Sequence, residues 1–188
     1  MKEIRPAILM LVIFTIICGG IYPAVVTGIA YAVFPKQAKG SFIMDKSGKE
    51  IGSTLIGQPF ADPKYFWPRP SASTDFGYNS MASGGSNSGP TNPDYLKTVG
   101  DRVKALRDTG VTGPVPADLV QASASGLDPH ITPESARLQV ARVAKARGVS
   151  EDTLVKAVAQ ATEGRQLGFL GEPRVNVLEL NLKLDNLK

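Results

Sequence analysis

The stretch from Ala7 to Phe34 contains no charged side chain, and it constrains this chain more than any other feature. Its 28 residues would extend about 42 Å as a helix, whereas the hydrocarbon core of a bilayer is roughly 30 Å thick. A tilt, or a kink at Pro23, absorbs the surplus length. The sequence therefore predicts a transmembrane helix over 7–34, preceded by a short tail over 1–6 and followed by a soluble domain over 35–188.

Two cleaved alternatives compete with this anchor. A signal peptide needs a basic start, which Lys2 and Arg5 supply, and a short apolar run such as 7–18. The uncharged stretch continues well beyond that run, and a cleaved signal does not need the extra length. A lipoprotein signal would use Cys18, but bulky Ile17 stands where a small residue is expected. The pattern favours an uncleaved helix.

Small residues recur every fourth position within the apolar stretch. They would let the backbone of another helix approach closely, although glycine and alanine are common enough in membrane helices for chance to produce the pattern. No ionisable group with a proton- or ion-relay role lies in the span. The candidate packing residues are Gly20, Ala24, Gly28 and Ala32.

The net charge of +4 is concentrated around the apolar stretch. Residues 1–40 carry four basic side chains and one acidic side chain, whereas the rest carries 17 basic and 16 acidic ones. A nearly neutral soluble domain does not suit nucleic-acid binding. Because Cys18 is the only cysteine, that domain has neither disulfides nor a thiol nucleophile or ligand.

The soluble domain alternates strand and helix signals, which predicts a mixed α+β fold. Short apolar runs at 42–44 and 51–56 flank a turn-rich break and indicate a β-hairpin. Helices run from a cap residue to a glycine; the predicted ranges are 92–110, 132–148 and 150–164. A short strand is expected at 119–122. Leucines alternate with polar residues over 178–184, which favours a half-buried strand, with a helix as the alternative.

A proline-rich segment follows the hairpin. Four prolines between positions 59 and 70 exclude a regular helix or central strand, while four aromatic residues in the same stretch indicate an ordered loop. Such a loop either caps the core or offers a docking patch to a partner. The candidate docking residues are Phe60, Tyr65, Phe66, Trp67 and Arg69.

A second loop, over 76–93, is dense in small polar residues that could wrap backbone amides around an anion. Neither a Walker A sequence nor a GxGxxG pattern is present, and a turn-rich loop is the simpler interpretation. The candidate nucleotide loop is Ser83, Gly84, Gly85, Ser86 and Asn87.

No catalytic or metal-binding constellation stands out. His130 is the only histidine, with Asp128 as its single acidic neighbour in sequence, so a loop or helix-entry role fits better than metal ligation. No serine lies in a Gly-x-Ser-x-Gly motif. The residues predict neither catalytic nor metal-ligating side chains, although a Ser-His-Asp hydrolase using His130 stays an alternative.

Several distinctive motifs follow the anchor, in order along almost the whole chain: 52–58, Tyr65-Phe66 with 69–72, Tyr78-Asn79, 83–87, 123–128 with 131–133, 142–147 and 175–182. With the anchor, they resemble the C subunit of the Kdp-type potassium-transporting P-type ATPase. One departure is Ser88, where that family more often has an apolar residue.

This resemblance implies a non-catalytic accessory subunit in the cell membrane. Its partners would be an A subunit that carries potassium, a B subunit that hydrolyses ATP and a small F peptide, together with lipid. The N-terminus would be cytoplasmic and the soluble domain extracytoplasmic. The implied roles are assembly of the complex and a catalytic-chaperone effect that raises the ATP affinity of the B subunit. No cofactor would be tightly bound, and ATP would be met only in a transient complex with B. The alternative is a solitary membrane-anchored binding protein or hydrolase.

Overall fold

The computed structural model describes residues 3–186, and the chain divides into two compact units at Ile51 and Gly52. Met1, Lys2, Leu187 and Lys188 lie outside the described residues, and with them part of the predicted tail over 1–6 and the last two residues of the predicted domain over 35–188. Within 3–186 the secondary structure mixes helices and short strands. The predicted α+β class, with one apolar N-terminal helix, is confirmed.

The first unit is dominated by a helix of 30 residues, Ile4–Val33, whose large apolar side chains are all exposed. It consists of α1 (Ile4–Ile16), a π-helical turn (Ile17–Ile21) and α2 (Tyr22–Val33). Among the described residues it is the one helix long and apolar enough to cross a membrane. It ends before Pro35, because a residue that precedes proline is disfavoured in the helical region. A short helix, α3 (Pro35–Ala38), follows.

The predicted hairpin is confirmed, with β1 at Phe42–Met44 and β2 at Glu50–Ser53. The side chain of Asp45 closes its turn, since Oδ1 accepts hydrogen bonds from the N–H groups of Ser47 at 2.7 Å and Lys49 at 2.9 Å. The second strand ends at Ser53, earlier than the expected 51–56, and a turn follows.

The three predicted helices of the soluble unit (Gly52–Lys188) are present as α4 (Pro93–Asp108), α5 (Pro133–Arg147) and α6 (Glu151–Ala161). Each begins where the sequence places a cap, because the side chains of Asn92, Thr132 and Ser150 accept hydrogen bonds from N–H groups of the first turn. Helix α5 ends at Gly148, which adopts the left-handed conformation with φ of 67°. Helix α6 stops at Ala161, short of Gly164.

The predicted strand at 119–122 is wrong: the segment Ala117–Leu119 is a 3-10 turn. Leu119 and Val120 are buried, so the short apolar run reflects burial rather than an extended backbone.

The strand favoured for 178–184 is also wrong. Strand β5 covers only Arg174–Asn176, and helix α7 occupies Val177–Asp185. The Asn176 side chain accepts a hydrogen bond from the N–H of Glu179 and caps the helix. The buried residues have helical spacing and include one polar side chain: Val177, Leu178, Leu180, Asn181 and Leu184.

A small antiparallel sheet in the order β3-β5-β4 completes the unit, with β3 at His130–Ile131 and β4 at Thr162–Glu163. Val175 pairs with Ile131 on one side and with Thr162 on the other. Helix α5 packs on α6, α6 packs on α7, and all three contact β5. The core between them contains Val143, Leu154, Val158 and Leu180.

Candidate functional site: surfaces of the soluble unit

The aromatic-proline loop is fastened to the core by two buried amide side chains. Phe66 donates its N–H to Oδ1 of Asn181 at 2.8 Å and accepts from Nδ2 at 2.9 Å. Trp67 makes the same pair with Gln139, at 2.7 Å from its N–H and 3.1 Å to its carbonyl. Each side-chain amide thus pairs with both the N–H and the carbonyl of one loop residue, as a neighbouring β-strand would. The segment is therefore ordered without belonging to a sheet.

Arg142 of α5 holds the same loop from its outer side. The guanidinium carbon lies 3.7 Å from the centroid of the Trp67 ring, and Nη1 donates to the carbonyls of Pro63 at 2.6 Å and Tyr65 at 3.0 Å. Nη2 donates to Oε1 of Gln139 at 2.6 Å. Burial lowers the pKa of Arg142 to about 10, which leaves it charged at neutral pH. One arginine thus binds two backbone carbonyls of the loop, the Gln139 side chain and an aromatic face.

The predicted docking residues differ in exposure as a result of these contacts. Phe66 is fully buried in the core and belongs to no surface of this unit. Phe60, Tyr65, Trp67 and Arg69 are each partly exposed. A shallow groove of about 470 Å³ lies along the loop and is lined chiefly by Phe60, Trp67 and Tyr78 with prolines 59, 68 and 70.

Arg69 enters a cluster with Asp128 and His130. Its Nη1 donates to Oδ2 of Asp128 at 2.8 Å, while Oδ1 accepts from the N–H of His130 at 3.0 Å and lies 3.3 Å from Nδ1 of that histidine. Burial by itself would raise the pKa of Asp128, but hydrogen bonds from His130 and Arg69 outweigh it and lower the pKa to about 2. The Tyr78 hydroxyl donates to the carbonyl of Arg69, and burial, followed by the charge of Asp128, raises the pKa of Tyr78. His130 lies at the start of β3. The carboxylate beside it, Asp128, is already paired with Arg69.

The Ser83–Asn87 loop lies against the segment 123–126. The N–H of Gly84 donates to the carbonyl of Ser125 at 2.9 Å, and the Ser83 hydroxyl donates to the same carbonyl at 3.0 Å. A Cβ on Gly85 would come within 3.0 Å of the Ala124 carbonyl oxygen, so the two backbones need glycine there. Gly85 therefore permits close contact with another segment of the same chain, at Ala124.

Ser86 of that loop also borders a small cleft of about 190 Å³ that contains Arg102 and Tyr95 of α4. Arg102 is the one basic residue among those that line this cleft. Its Nη1 donates to the carbonyl of Val120 at 2.8 Å, and burial lowers its pKa.

An exposed apolar turn, Leu167–Leu170, was missed in the sequence analysis. Leu167, Phe169 and Leu170 are 84%, 69% and 47% exposed. The signal was available, since the run Leu-Gly-Phe-Leu-Gly over 167–171 lies between charged residues. We call residues 167–170 the apolar tip.

The apolar tip is held rigidly at its base. Gln166 and Leu170 exchange two backbone hydrogen bonds, each of 2.9 Å. Below them, Nη2 of Arg165 donates to both carboxylate oxygens of Glu172 at 2.9 and 2.7 Å. The charges around the tip are thereby paired with one another, and the surface that projects is apolar.

Leu167 adopts an unfavourable backbone conformation at the end of this tip. Its φ is 53° and that of Gly168 is 82°, which are the two successive positive values of a type I′ turn. Asparagine or glycine adopts the first position readily, whereas leucine there costs on the order of 1 kcal/mol. Neither turn geometry nor burial accounts for a leucine at this position.

The candidate membrane-packing residues all lie in the first unit and are exposed. A Cβ added to Gly20 or Gly28 would meet no atom within 4 Å, so the backbone is open there. Gly20 lies in the π-helical turn, while Ala24, Gly28 and Ala32 lie in α2. As for metals, residues 3–186 contain no group of three or more acidic, histidine or cysteine side chains placed to hold one.

Comparison with known proteins gives matches over nearly the whole chain. A family model described as "K+-transporting ATPase, c chain" matches residues 4–186. The chain belongs to the KdpC family. The resemblance that the sequence motifs indicated is therefore confirmed.

Among the relatives of this KdpC-family chain are proteins named potassium-transporting ATPase KdpC subunit from three bacterial genera. The protein of Geotalea uraniireducens is 77% identical over 187 residues, which cover 100% of this chain and 99% of that protein. That of Geobacter sulfurreducens is 73% identical with the same coverage. That of Burkholderia ambifaria is 57% identical over 97% of this chain and 95% of its own length.

Proposed function

We propose that this chain is a non-catalytic accessory subunit of an ATP-driven potassium-uptake complex, and that it assembles and stabilises that complex. The proposal rests on family membership and on relatives named as subunits of a potassium-transporting ATPase. Its partners would be the potassium-carrying A subunit, the ATP-hydrolysing B subunit and the F peptide.

The structural observation that carries the proposal is the apolar tip. Exposed leucine and phenylalanine side chains on a rigid support lose little conformational freedom on binding, so burial against a partner is favourable. Leu167 is kept in a backbone conformation that other residues adopt at lower cost. Strained residues of this kind cluster at functional sites, including those that hold a ligand. We propose that the tip contacts the membrane subunit that carries potassium.

The orientation that suits this role places the N-terminus in the cytoplasm and the soluble unit outside the cell. Any effect on the ATP affinity of the B subunit is then an indirect coupling through the complex. Two features support an indirect effect. The Gly84 amide is already bonded to Ser125, and Arg102 beside Ser86 is engaged with Val120.

Purification tests the assembly role. The chain, tagged at its C-terminus, is extracted from membranes in a mild detergent, and the mass of the native particle is measured. An accessory subunit emerges with much larger membrane proteins at fixed stoichiometry. If it emerges alone under several mild detergents, the alternative of a solitary anchored binding protein or hydrolase replaces the proposal.

Cysteine labelling tests the orientation. Cys18 is replaced by alanine, and Ser88→Cys introduces one thiol in an exposed loop. Intact cells are treated with a membrane-impermeant maleimide. Labelling before lysis supports the extracytoplasmic position. Labelling only after lysis would place the soluble unit with cytoplasmic ATP and contradict the indirect coupling.

A further inference from the structure

The backbone hydrogen bonding of the long apolar helix is interrupted near its middle. Pro23 has no N–H, so the carbonyl of Gly19 lacks the donor four residues further on. The N–H of Tyr22 donates to the carbonyl of Ile17, five residues back. The carbonyl of Cys18 loses both of its helical hydrogen-bond donors. The N–H of Tyr22, four residues on, donates to Ile17, and Pro23, five residues on, has no N–H. The Cys18 carbonyl therefore has no helical donor.

This carbonyl lies at the centre of the span. Cys18 is the fifteenth of the 30 residues of Ile4–Val33, all of whose central residues are exposed. In a bilayer the centre offers almost no water, so an unpaired backbone group there is strongly destabilising. Proline is tolerated in membrane helices because neighbouring helices or side chains supply the missing partner.

None of the chain's own hydroxyl groups near this depth bonds to the carbonyl. Tyr22 lies one turn further on, but its side chain is 64% exposed and its hydroxyl, at the far end of the ring, makes no hydrogen bond to Cys18. A helix carbonyl points towards the C-terminus, so its donor must lie about one turn further on. Thr15 lies three residues before Cys18, and Thr27 lies nine residues after it. Gly19, immediately next to the carbonyl, has no side chain, and a Cβ there would meet no atom within 4 Å. The backbone is therefore open to a group from outside the chain.

We propose that the carbonyl at Cys18 is the acceptor for a hydrogen-bond donor on a transmembrane helix of a partner subunit. A serine, threonine, asparagine or glutamine at mid-bilayer depth has the required chemistry. This inference rests on the proposed function only in requiring a membrane partner. It assigns the π-helical turn, rather than the small-residue positions further along α2, as the polar part of that helix contact.

The sequence provides a selective probe, because Cys18 is the only cysteine. Growth on cysteine carrying ¹³C at the carbonyl labels one peptide carbonyl in the chain, and unlabelled partner subunits are added in lipid. The ¹³C amide band is then recorded by infrared spectroscopy for the chain alone and for the complete complex. We expect the band to move to lower wavenumber in the complex, as a carbonyl does when it accepts a hydrogen bond, and to be insensitive to exchange into D₂O.

Pro23→Ala provides the reference, because it restores an N–H at position 23 and allows a regular ladder. In this variant the band of the chain alone should already lie at the lower position, and binding to the partners should weaken by about threefold to twentyfold. Pro35→Ala, the same substitution after the end of α2, should leave the band position and the binding to the partners unchanged.

An unchanged ¹³C band in the assembled complex would overturn the inference, and so would a shift that responds to D₂O, since water would then be the donor. These outcomes are read only from chains that have joined the partners. Failure to assemble at all would instead contradict the proposed function.

Discussion

Asn181 forms two hydrogen bonds with the main chain of Phe66, at 2.8 and 2.9 Å, across 115 residues of sequence. Asn181 is fully buried on α7, and the Phe66 side chain is fully buried beside it. One side chain thus holds the aromatic-proline loop against the C-terminal helix. The candidate docking loop and the core therefore share this contact.

Asn181→Leu should destabilise the chain by about 3 kcal/mol, because it leaves a buried N–H and a buried carbonyl of Phe66 without partners. Urea unfolding of the full chain in mild detergent, followed by circular dichroism, measures the change. Asn186→Leu, on an exposed residue just after the same helix, is the control and should change stability by less than about 0.5 kcal/mol. Equal effects of the two variants would contradict the role given to Asn181.

Arg142→Lys should lower stability by about 1–2 kcal/mol, because lysine cannot stack flat on Trp67 while donating to two carbonyls. Trp67 is the only tryptophan, so its fluorescence reports this site alone. The emission should shift to longer wavelength as water reaches the ring. Arg137→Lys, an exposed position on the same helix, should leave the spectrum unchanged. A wild-type spectrum in Arg142→Lys would show that the stacking contributes little.

The ion pair of Arg69 with Asp128 predicts a specific pH dependence. The pKa of Asp128 falls from 3.8 to about 2 on folding, so the ionised form stabilises the native state above pH 4, and that stabilisation is lost as the pH falls towards 2. The advantage of the wild type over Asp128→Asn should be about 1–2 kcal/mol at neutral pH and should shrink through this window. Urea midpoints measured from pH 7 to pH 2.5 test it.

Asp101→Asn is the control for this measurement, since Asp101 pairs with Lys97 on the exposed face of α4. Its difference from the wild type should stay below about 0.5 kcal/mol. A wild-type advantage over Asp128→Asn that does not change between pH 5 and pH 2.5 would show that the carboxylate charge is not the cause.

Adjacent glycines offer a matched test of the Ser83–Asn87 loop. A Cβ at Gly85 would meet the Ala124 backbone at 3.0 Å, whereas one at Gly84 would meet nothing within 4 Å. Gly85→Ala should therefore cost about 1–2 kcal/mol, and Gly84→Ala should be nearly neutral. If neither variant is destabilised, but both lower the ATP affinity measured for the complex, the loop binds nucleotide instead of serving as an internal contact.

The sequence predicted elements with strong local signals. Asn92, Thr132 and Ser150 start their helices as expected, because a side-chain cap acts within one turn. The segment 178–184 was misassigned because Asn181 lies on its buried face. A polar residue there breaks the apolar helical pattern, and its partner, Phe66, is far away in sequence. Asn176, which caps this helix, was the local signal that outweighs the period of two.

The candidate site was only partly predictable for the same reason. An aromatic-proline loop was evident from composition, but whether each ring faces solvent or core depends on distant residues such as Gln139 and Asn181. The apolar tip was overlooked because exposure is not a local property. Leu167 becomes informative only when its positive φ is known.

The central claim, that the chain holds a complex together through its apolar tip, is tested most directly by Leu167→Asn. Asparagine suits a positive φ, so the isolated chain should be as stable as the wild type or up to about 1 kcal/mol more stable. The amount of partner subunits that co-purifies should nevertheless fall several-fold, because an apolar contact is lost. Leu96→Gln, at a 53% exposed leucine on α4, should leave assembly unchanged. Wild-type yields of the partner subunits with Leu167→Asn would contradict the account.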